Sequence, residues 1–280
     1  MSSRTVLDAL QDQFPDSSKT TLRKMLQGDR VRVNGSPERD AKRVIGPDDR
    51  VEIASKTSRE IDPRIRIVFE DKDLVVIEKA AGLLTVPSAE VLHETAETFL
   101  NTYLGGHPGD RRIHHVHRLD RDTSGVLVFA KNTWTRDRLQ KQFAAHDIDR
   151  VYIAIVHGKL SEPSGMFRSF LAEDRDLKVR SVGNVAEGKE AITHYRTIAS
   201  GRRFSILEVT IETGRRNQIR VHLTEAGHPV VGDTMYGKGR DESLGRLGLH
   251  AKELGFVHPR TGTRVRFTAD PPKEFRELAL

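Results

Sequence analysis

The 280-residue chain contains no cysteine. Disulfides, thiol nucleophiles, iron–sulfur clusters and cysteine-ligated zinc are thereby excluded, and a reducing, cytoplasmic setting is expected. Long apolar runs are missing too. None approaches the ~18 residues that a membrane-spanning helix needs. Met1-Ser2-Ser3-Arg4-Thr5 leads into an amphipathic segment without the apolar stretch of a secretory signal. No membrane association, internal repeat or low-complexity tract is expected. Charge is plentiful: 31% of residues are charged and the formal net charge is +6, with a sequence pI of about 9.6. This balance favours an anionic partner, nucleic acid above all. The length suits one large domain or two smaller ones.

Residues 1–54 read as a small unit. Val6, Leu7, Leu10 and Phe14 have helical spacing, and Ser17 or Ser18 is placed to cap a second helix with Leu22, Met25 and Leu26 on its apolar face. Gly28 ends that helix. Val31-Arg32-Val33 alternates like a strand and meets an Asn34-Gly35 turn; Arg50-Val51-Glu52-Ile53 alternates again. Ser55–Pro63 has the composition of a linker, so the chain is divided at 1–58 and 59–280.

The remainder is richer in strands. Ile65–Asp71 and Leu74–Ile77 read as strands, Glu94–Leu104 as a helix and Gly105–Arg112 as a loop. Asn132 is a cap for a helix running to about His146. Arg150–Gly158 alternates, with Tyr152, Ala154 and Val156 on one face. Only short strands are expected within 159–200, around Ala191–Ile198, followed by a strand over Phe204–Ile211. Thr213-Gly214 turns the chain into a helix over Arg215–Ala226, which would set Arg216 and Arg220 together on one face.

At the centre lies His117-Arg118-Leu119-Asp120-Arg121-Asp122-Thr123-Ser124-Gly125. Nine residues hold two acids, two arginines, a histidine and two hydroxyls, directly before the buried-strand pattern Val126–Ala130. Gly125 allows a tight turn with positive φ. By composition alone, the stretch could equally be a capped, salt-bridged turn. The whole string resembles the signature of the RluA-type pseudouridine synthases. Lys79-Ala80-Ala81-Gly82 is similar to that family's Lys-Pro-Ala-Gly, and Arg150-Val151-Tyr152 to its basic–x–Tyr. Gly214-Arg215-Arg216-Asn217-Gln218-Ile219-Arg220-Val221-His222-Leu223 is similar to its Gly-Arg-Thr-His-Gln-Ile-Arg-Val-His-Leu, departing at Arg216 and Asn217. Val230–Asp233, Tyr236-Gly237 and Leu249-His250-Ala251 complete the resemblance, over roughly 65–280.

The resemblance implies an α+β pseudouridine synthase fold with a largely antiparallel sheet. It also implies isomerisation of uridines in structured RNA, without metal or cofactor. Asp120 would be the catalytic carboxylate, acting as nucleophile or as a base toward the ribose. Arg220 would hold it ionised, Tyr152 would lie against the uracil, and Arg118 would hold the place of the flipped base. Arg215 and Arg216 are expected RNA contacts, and His117 is expected to support the loop. Ser18-Lys19, Leu26–Gly35 and Asp48–Ile53 resemble the S-four-type RNA-binding module, a small α/β domain. That likeness implies phosphate contacts from Lys19, Arg23, Lys24, Arg30 and Arg32 and favours ribosomal over transfer RNA. A monomer is expected. A non-catalytic ribosome-assembly factor would need the basic surface but not Asp120, Tyr152 and Arg220 together. Asp120-Arg121-Asp122-Thr123 also resembles the Mg²⁺-dependent nucleophile loop of haloacid-dehalogenase-type phosphatases, but the clear Asp48-Asp49 pair lies upstream. A metal site on His114, His115 and His117 is disfavoured by the lack of cysteine and of a carboxylate-containing ligand motif.

Overall fold

The apolar spacing of residues 6–26 resolves into two helices over one small core. The computed structural model describes residues 4–15, 17–27, 31–53, 61–106, 112–176, 178–237 and 243–278. The chain divides into two compact units, Met1–Glu60 and Ile61–Leu280. In the first, α1 (Val6–Gln13) and α2 (Lys19–Gln27) bury Val6, Ala9, Leu10, Leu22 and Leu26 with Val31 and Val33. Thr5 opens α1 with a capping box to Asp8, and the Ser18 hydroxyl accepts from Thr21 N at 3.2 Å at the start of α2. β1 (Val31–Val33) turns through Asn34 and Gly35, at φ 53° and 80°, into β2 (Ser36–Pro37). A two-residue hairpin of type I′ needs those two positive φ values. β3 (Val51–Ile53) pairs antiparallel with β1. Gly28 and residues 55–60 of the expected linker lie outside the described residues.

The second unit follows the order β4 (Ile65–Glu70), β5 (Leu74–Lys79), α3 (Ala96–Tyr103), β6 (His114–His115), β7 (Ser124–Ala130), α4 (Thr133–Ala144), β8 (Asp149–His157), β9 (Ser164–Glu173), β10 (Val179–Val182), β11 (Lys189–Ser200), β12 (Phe204–Ile211), α5 (Gln218–Glu225), β13 (Leu249–Val257), β14 (Arg264–Thr268) and α6 (Lys273–Glu277). Among the described residues, eleven strands form one sheet, ordered β10-β9-β11-β12-β8-β13-β7-β5-β4, with β14 on β13 and β6 on β7. The pairing of β7 with β13 is parallel and the rest are antiparallel.

Alternation assigns the central strands to two cores. Val75, Ile77, Leu127 and Phe129 face one, with Ala96 and Leu100 of α3 and Ile219 and Leu223 of α5. Leu74, Val76, Val126 and Val128 face the other, with Leu139 of α4. Burial on both sides explains why β7 reads as an unbroken apolar run. At its entry Gly125 has φ +118°, and a Cβ there would lie 2.1 Å from the Ala251 carbonyl. Glycine therefore permits the parallel seam, whose register sets Gly125 against Ala251. Arg246 donates to the Ser124 hydroxyl (2.6 Å), which bonds His250 Nδ1 (2.8 Å), while His250 Nε2 reaches the Ala269 carbonyl (3.1 Å).

Three expectations need correction. The short strands expected around 191–198 are in fact one long strand, β11, paired with β9, which carries β10 on its other edge. Most side chains of β9 and β11 alternate between exposed and half-buried, and few, such as Leu171, Val179 of β10 and Ala191, are buried, so the apolar pattern is weak. The helix expected over 94–104 is trimmed to Ala96–Tyr103, because Thr95 caps it. The helix expected from Arg215 begins at Gln218, because Asn217 adopts the left-handed conformation at φ 54°. Residues 107–111 of the expected glycine-rich loop lie outside the described residues, and no described helix is long and apolar enough to cross a membrane.

Candidate active site

The loop between β6 and β7 carries Arg118, Asp120 and Thr123, and residues 79–85 clamp it from beneath. The Thr85 hydroxyl donates to the Leu119 carbonyl at 2.8 Å and accepts from Leu119 N at 3.2 Å. Gly82 N donates to the Arg121 carbonyl at 2.9 Å. Lys79 Nζ donates to the carbonyls of Ala80, Leu83 and Arg121 at 3.0, 2.7 and 3.0 Å. Burial pulls this amine down to about 7, against the upward pull of Asp122 and Asp120. Three acceptors around one nitrogen are satisfied at once only by the ammonium form. Ala80, where the resembling motif has proline, leaves this clamp intact.

His117 braces the loop from the other side. Val128 N donates to its Nε2 at 3.2 Å, and its ring stacks on Phe143 at 4.7 Å between centroids. Burial pulls it down to about 3, so the imidazole is neutral and already engaged through Nε2.

Leu119 is buried, while the Asp120 side chain keeps a quarter of its surface exposed. It opens into a cavity of about 590 Å³, lined also by Arg118, Tyr152 and Arg220. Arg118 is exposed at this site. Tyr152, on β8, is 9% exposed. Burial, reinforced by the charge of Asp120, pushes its phenol up to about 12 against the pull of Arg150. Near neutral pH it is therefore an uncharged aromatic wall with a donor at its tip.

Arg220 reaches the cavity from the first turn of α5. Its Nη1 lies 3.6 Å from Asp120 Oδ2. Its firmer partner is Asp233, with Nε at 2.7 Å and Nη2 at 2.8 Å. Nη1 also donates to Asn217 Oδ1 at 3.1 Å, and Asn217 Nδ2 donates to the Tyr236 hydroxyl at 3.0 Å. Burial alone would lower the guanidinium, but the Asp233 hydrogen bonds outweigh it and hold Arg220 above its ordinary value. In turn, burial would raise Asp233, yet Arg220 holds it below the usual carboxylate range. A fixed, largely buried cation thus faces the half-buried Asp120.

The other expected contacts are dispersed. Arg215 lines the cavity half-buried, its Nε donating to the Glu190 carbonyl at 2.9 Å. Arg216 does not share a helix face with Arg220; it precedes α5 and pairs with Glu173 at 2.7 Å, both partners well exposed. In the first unit Lys19 and Arg23 are exposed, whereas Arg32 is half-buried and donates to the Gly35 carbonyl at 2.9 Å. Arg30 and the side chain of Lys24 lie outside the described residues. Sequence reasoning assigned no role to Lys79, Thr85, Asn217 or Asp233. The quoted Gly232-Asp233 stretch, an acid following two valines, was the available signal for Asp233.

Residues 73–225 match the RNA pseudouridylate synthase family. The chain is 34% identical to an uncharacterized RNA pseudouridine synthase of Bacillus subtilis, YlyB, over 94% of this chain and 89% of that protein. It is 37% identical to the ribosomal large subunit pseudouridine synthase D of Zymomonas mobilis, over 78% and 72%. Among solved structures it resembles human RNA pseudouridylate synthase domain containing 1 with a TM-score of 0.62 and 25% identity, covering 74% of this chain and 84% of that one.

Proposed function

The chain belongs to the RNA pseudouridylate synthase family, and on that premise we propose that it isomerises specific uridines of ribosomal RNA with Asp120 as the catalytic carboxylate. RNA pseudouridine synthase activity follows from the membership itself. The reaction breaks the bond between ribose C1′ and uracil N1, turns the base and joins C1′ to C5. The proton lost from C5 is matched by one gained at N1, and no electrons are transferred. One observation carries the residue assignment: Asp120, Tyr152 and Arg220, far apart in sequence, line one cavity with Arg220 3.6 Å from Asp120.

In this reading Asp120 meets the ribose as an ionised carboxylate and Arg220 supplies its counter-charge. Tyr152 packs on the uracil and retains it while it turns. A uridine within a stem must first be flipped out, at a cost of a few kcal/mol, and Arg118 fills the vacated position. The relative from Zymomonas mobilis, named for the ribosomal large subunit, supports ribosomal over transfer RNA. So does the S-four-like pattern of residues 1–58, read as an RNA-binding module that raises the effective concentration of the catalytic unit. We take the protein to act as a monomer, in the cytoplasm with its RNA.

The test is a pseudouridine map of total RNA from cells lacking the gene, complemented with wild type or Asp120→Asn. A ribosomal site that disappears and returns only with wild type is the expected result. A transfer-RNA site would redirect the substrate assignment, and restoration by Asp120→Asn would remove Asp120 from the chemistry.

A further inference from the structure

Arg150, on β8 two residues before Tyr152, is 8% exposed and lines the cavity that holds Asp120. Its Nη2 donates to the Glu212 carbonyl at 2.7 Å, but its Nε has no hydrogen-bond partner among the described residues. No described carboxylate forms an ion pair with it. Glu212 offers only its main-chain oxygen, because its carboxylate bonds His194 at 2.7 Å. The neighbouring rings, Phe143 with its centroid 5.7 Å away and the neutral His117, bring no negative charge. Arg220 differs in this respect: it is buried against the same cavity, yet Asp233 and Asp120 both answer it.

A buried guanidinium without an anion is costly unless a ligand supplies one. Burial pulls Arg150 below its ordinary value against the upward pull of Tyr152, and the like charge of Arg215 adds to the fall. Arg215 lines the same cavity with its Nε held by a carbonyl, and the one acid in the described lining, Asp120, has Arg220 as its cation. The chain also makes room for the group: a Cβ at Gly214 would lie 2.6 Å from Arg150 Nη1. A cavity of about 590 Å³ falls among sites of roughly 300–1,000 Å³ that take drug-sized ligands, and is larger than one pyrimidine ring requires.

Resting on the proposed function, we propose that Arg150 and Arg215 form the seat of an RNA backbone phosphate beside the target uridine. A uracil carbonyl is neutral and would leave two guanidinium charges uncompensated. A phosphodiester offers the full charge and the paired oxygens that guanidinium forks grip. The contact is present before and during reaction, so it acts on KM more than on kcat.

The experiment measures tritium release from unmodified large-subunit ribosomal RNA carrying [5-³H]uridine, as kcat/KM against KCl concentration. Wild type, Arg150→Gln and Arg150→Lys are compared. Arg150→Gln is expected to lower kcat/KM about 10- to 100-fold, the span of a lost charged hydrogen bond. It should also flatten the log–log salt slope by about 0.7, one single-strand phosphate contact. Arg150→Lys keeps the charge and should keep the slope. Without RNA, Arg150→Gln should melt close to or above wild type, since it removes an unpaired buried charge. An unchanged salt slope overturns the proposal even if activity falls, because the contact would then be to a neutral group. So does a melting temperature well below wild type, which would make Arg150 a structural strut. Asp120→Asn in the same assay tests the catalytic reading separately: retained release defeats that reading, whereas the salt slope judges Arg150.

Discussion

Replacing Asp233 by alanine removes the anchor of Arg220, and its cost follows from the geometry. The Asp233 side chain is fully buried. Its carboxylate accepts from Arg220 Nε and Nη2 at 2.7 and 2.8 Å, and from the backbone N–H groups of Met235 and Tyr236 at 3.0 and 2.9 Å. Oδ1 takes three of these four hydrogen bonds and Oδ2 takes the one from Nε. Alanine leaves two main-chain donors unpaired and a buried guanidinium with only Asp120, 3.6 Å away, as counter-charge. Breaking a buried pair from one side costs about 3–5 kcal/mol. In a domain of this size each kcal/mol moves Tm by about 2–4 °C, so a fall of about 6–20 °C is expected. Glu173→Ala is the control. It breaks the Arg216–Glu173 pair, whose side chains are 44% and 37% exposed, and exposed pairs contribute about 0–1 kcal/mol. Asp233→Asn keeps the volume but offers one acceptor oxygen, and should fall between the two. Thermal unfolding followed by circular dichroism at neutral pH gives the comparison, and tritium release should fall about tenfold or more as Arg220 loses its orientation. Equal melting of Asp233→Ala and Glu173→Ala would refute the account of a buried anchor.

Gly125→Ala forces a Cβ to within 2.1 Å of the Ala251 carbonyl at φ +118°; a loss of ~3 kcal/mol or more is expected in chemical denaturation, and a variant as stable as wild type would deny the close seam. Hydrogen bonds from Arg260 hold the Asp73 carboxyl at about 2, below its ordinary 3.8. Its stabilisation is therefore present above about pH 4 and lost as pH falls toward 2, so urea melts should show wild type losing its advantage over Arg260→Ala across that window. Tyr152→Phe should leave the shape of the pH–rate profile unchanged between about pH 6 and 10, because the phenol titrates near 12; a limb that vanishes with the hydroxyl counts against a neutral Tyr152. Deleting residues 1–58 should weaken binding to full-length ribosomal RNA by about 100-fold while leaving residual turnover. Unchanged activity at limiting enzyme would deny the N-terminal unit its affinity role.

Features set by near neighbours were readable in the chain. The Asn34-Gly35 hairpin, the Asn132 cap of α4, the apolar faces of α1 and α2 and the positive φ of Gly125 all depend on residues within a turn or two. Periodicity and side-chain chemistry suffice for these. Strands β9 to β11 were less legible, because half-exposed side chains blur the alternation. The start of α5 was misjudged because Asn217 bends backward to reach Tyr236 and Arg220, which no local propensity announces.

The sequence by itself determined the family resemblance, the strand that carries the Asp120 loop and the identity of the residues proposed for the site. It could not say which charge meets which. That Arg220 is shared between Asp233 and Asp120, that Lys79 closes on three carbonyls beneath the loop, and that Arg150 is left without an anion were decided by tertiary structure. The physical reason is range. Hydrophobic period and turn chemistry act between neighbours along the chain, whereas the balance of a buried charge depends on every group the fold brings within a few ångströms, whatever its distance in sequence.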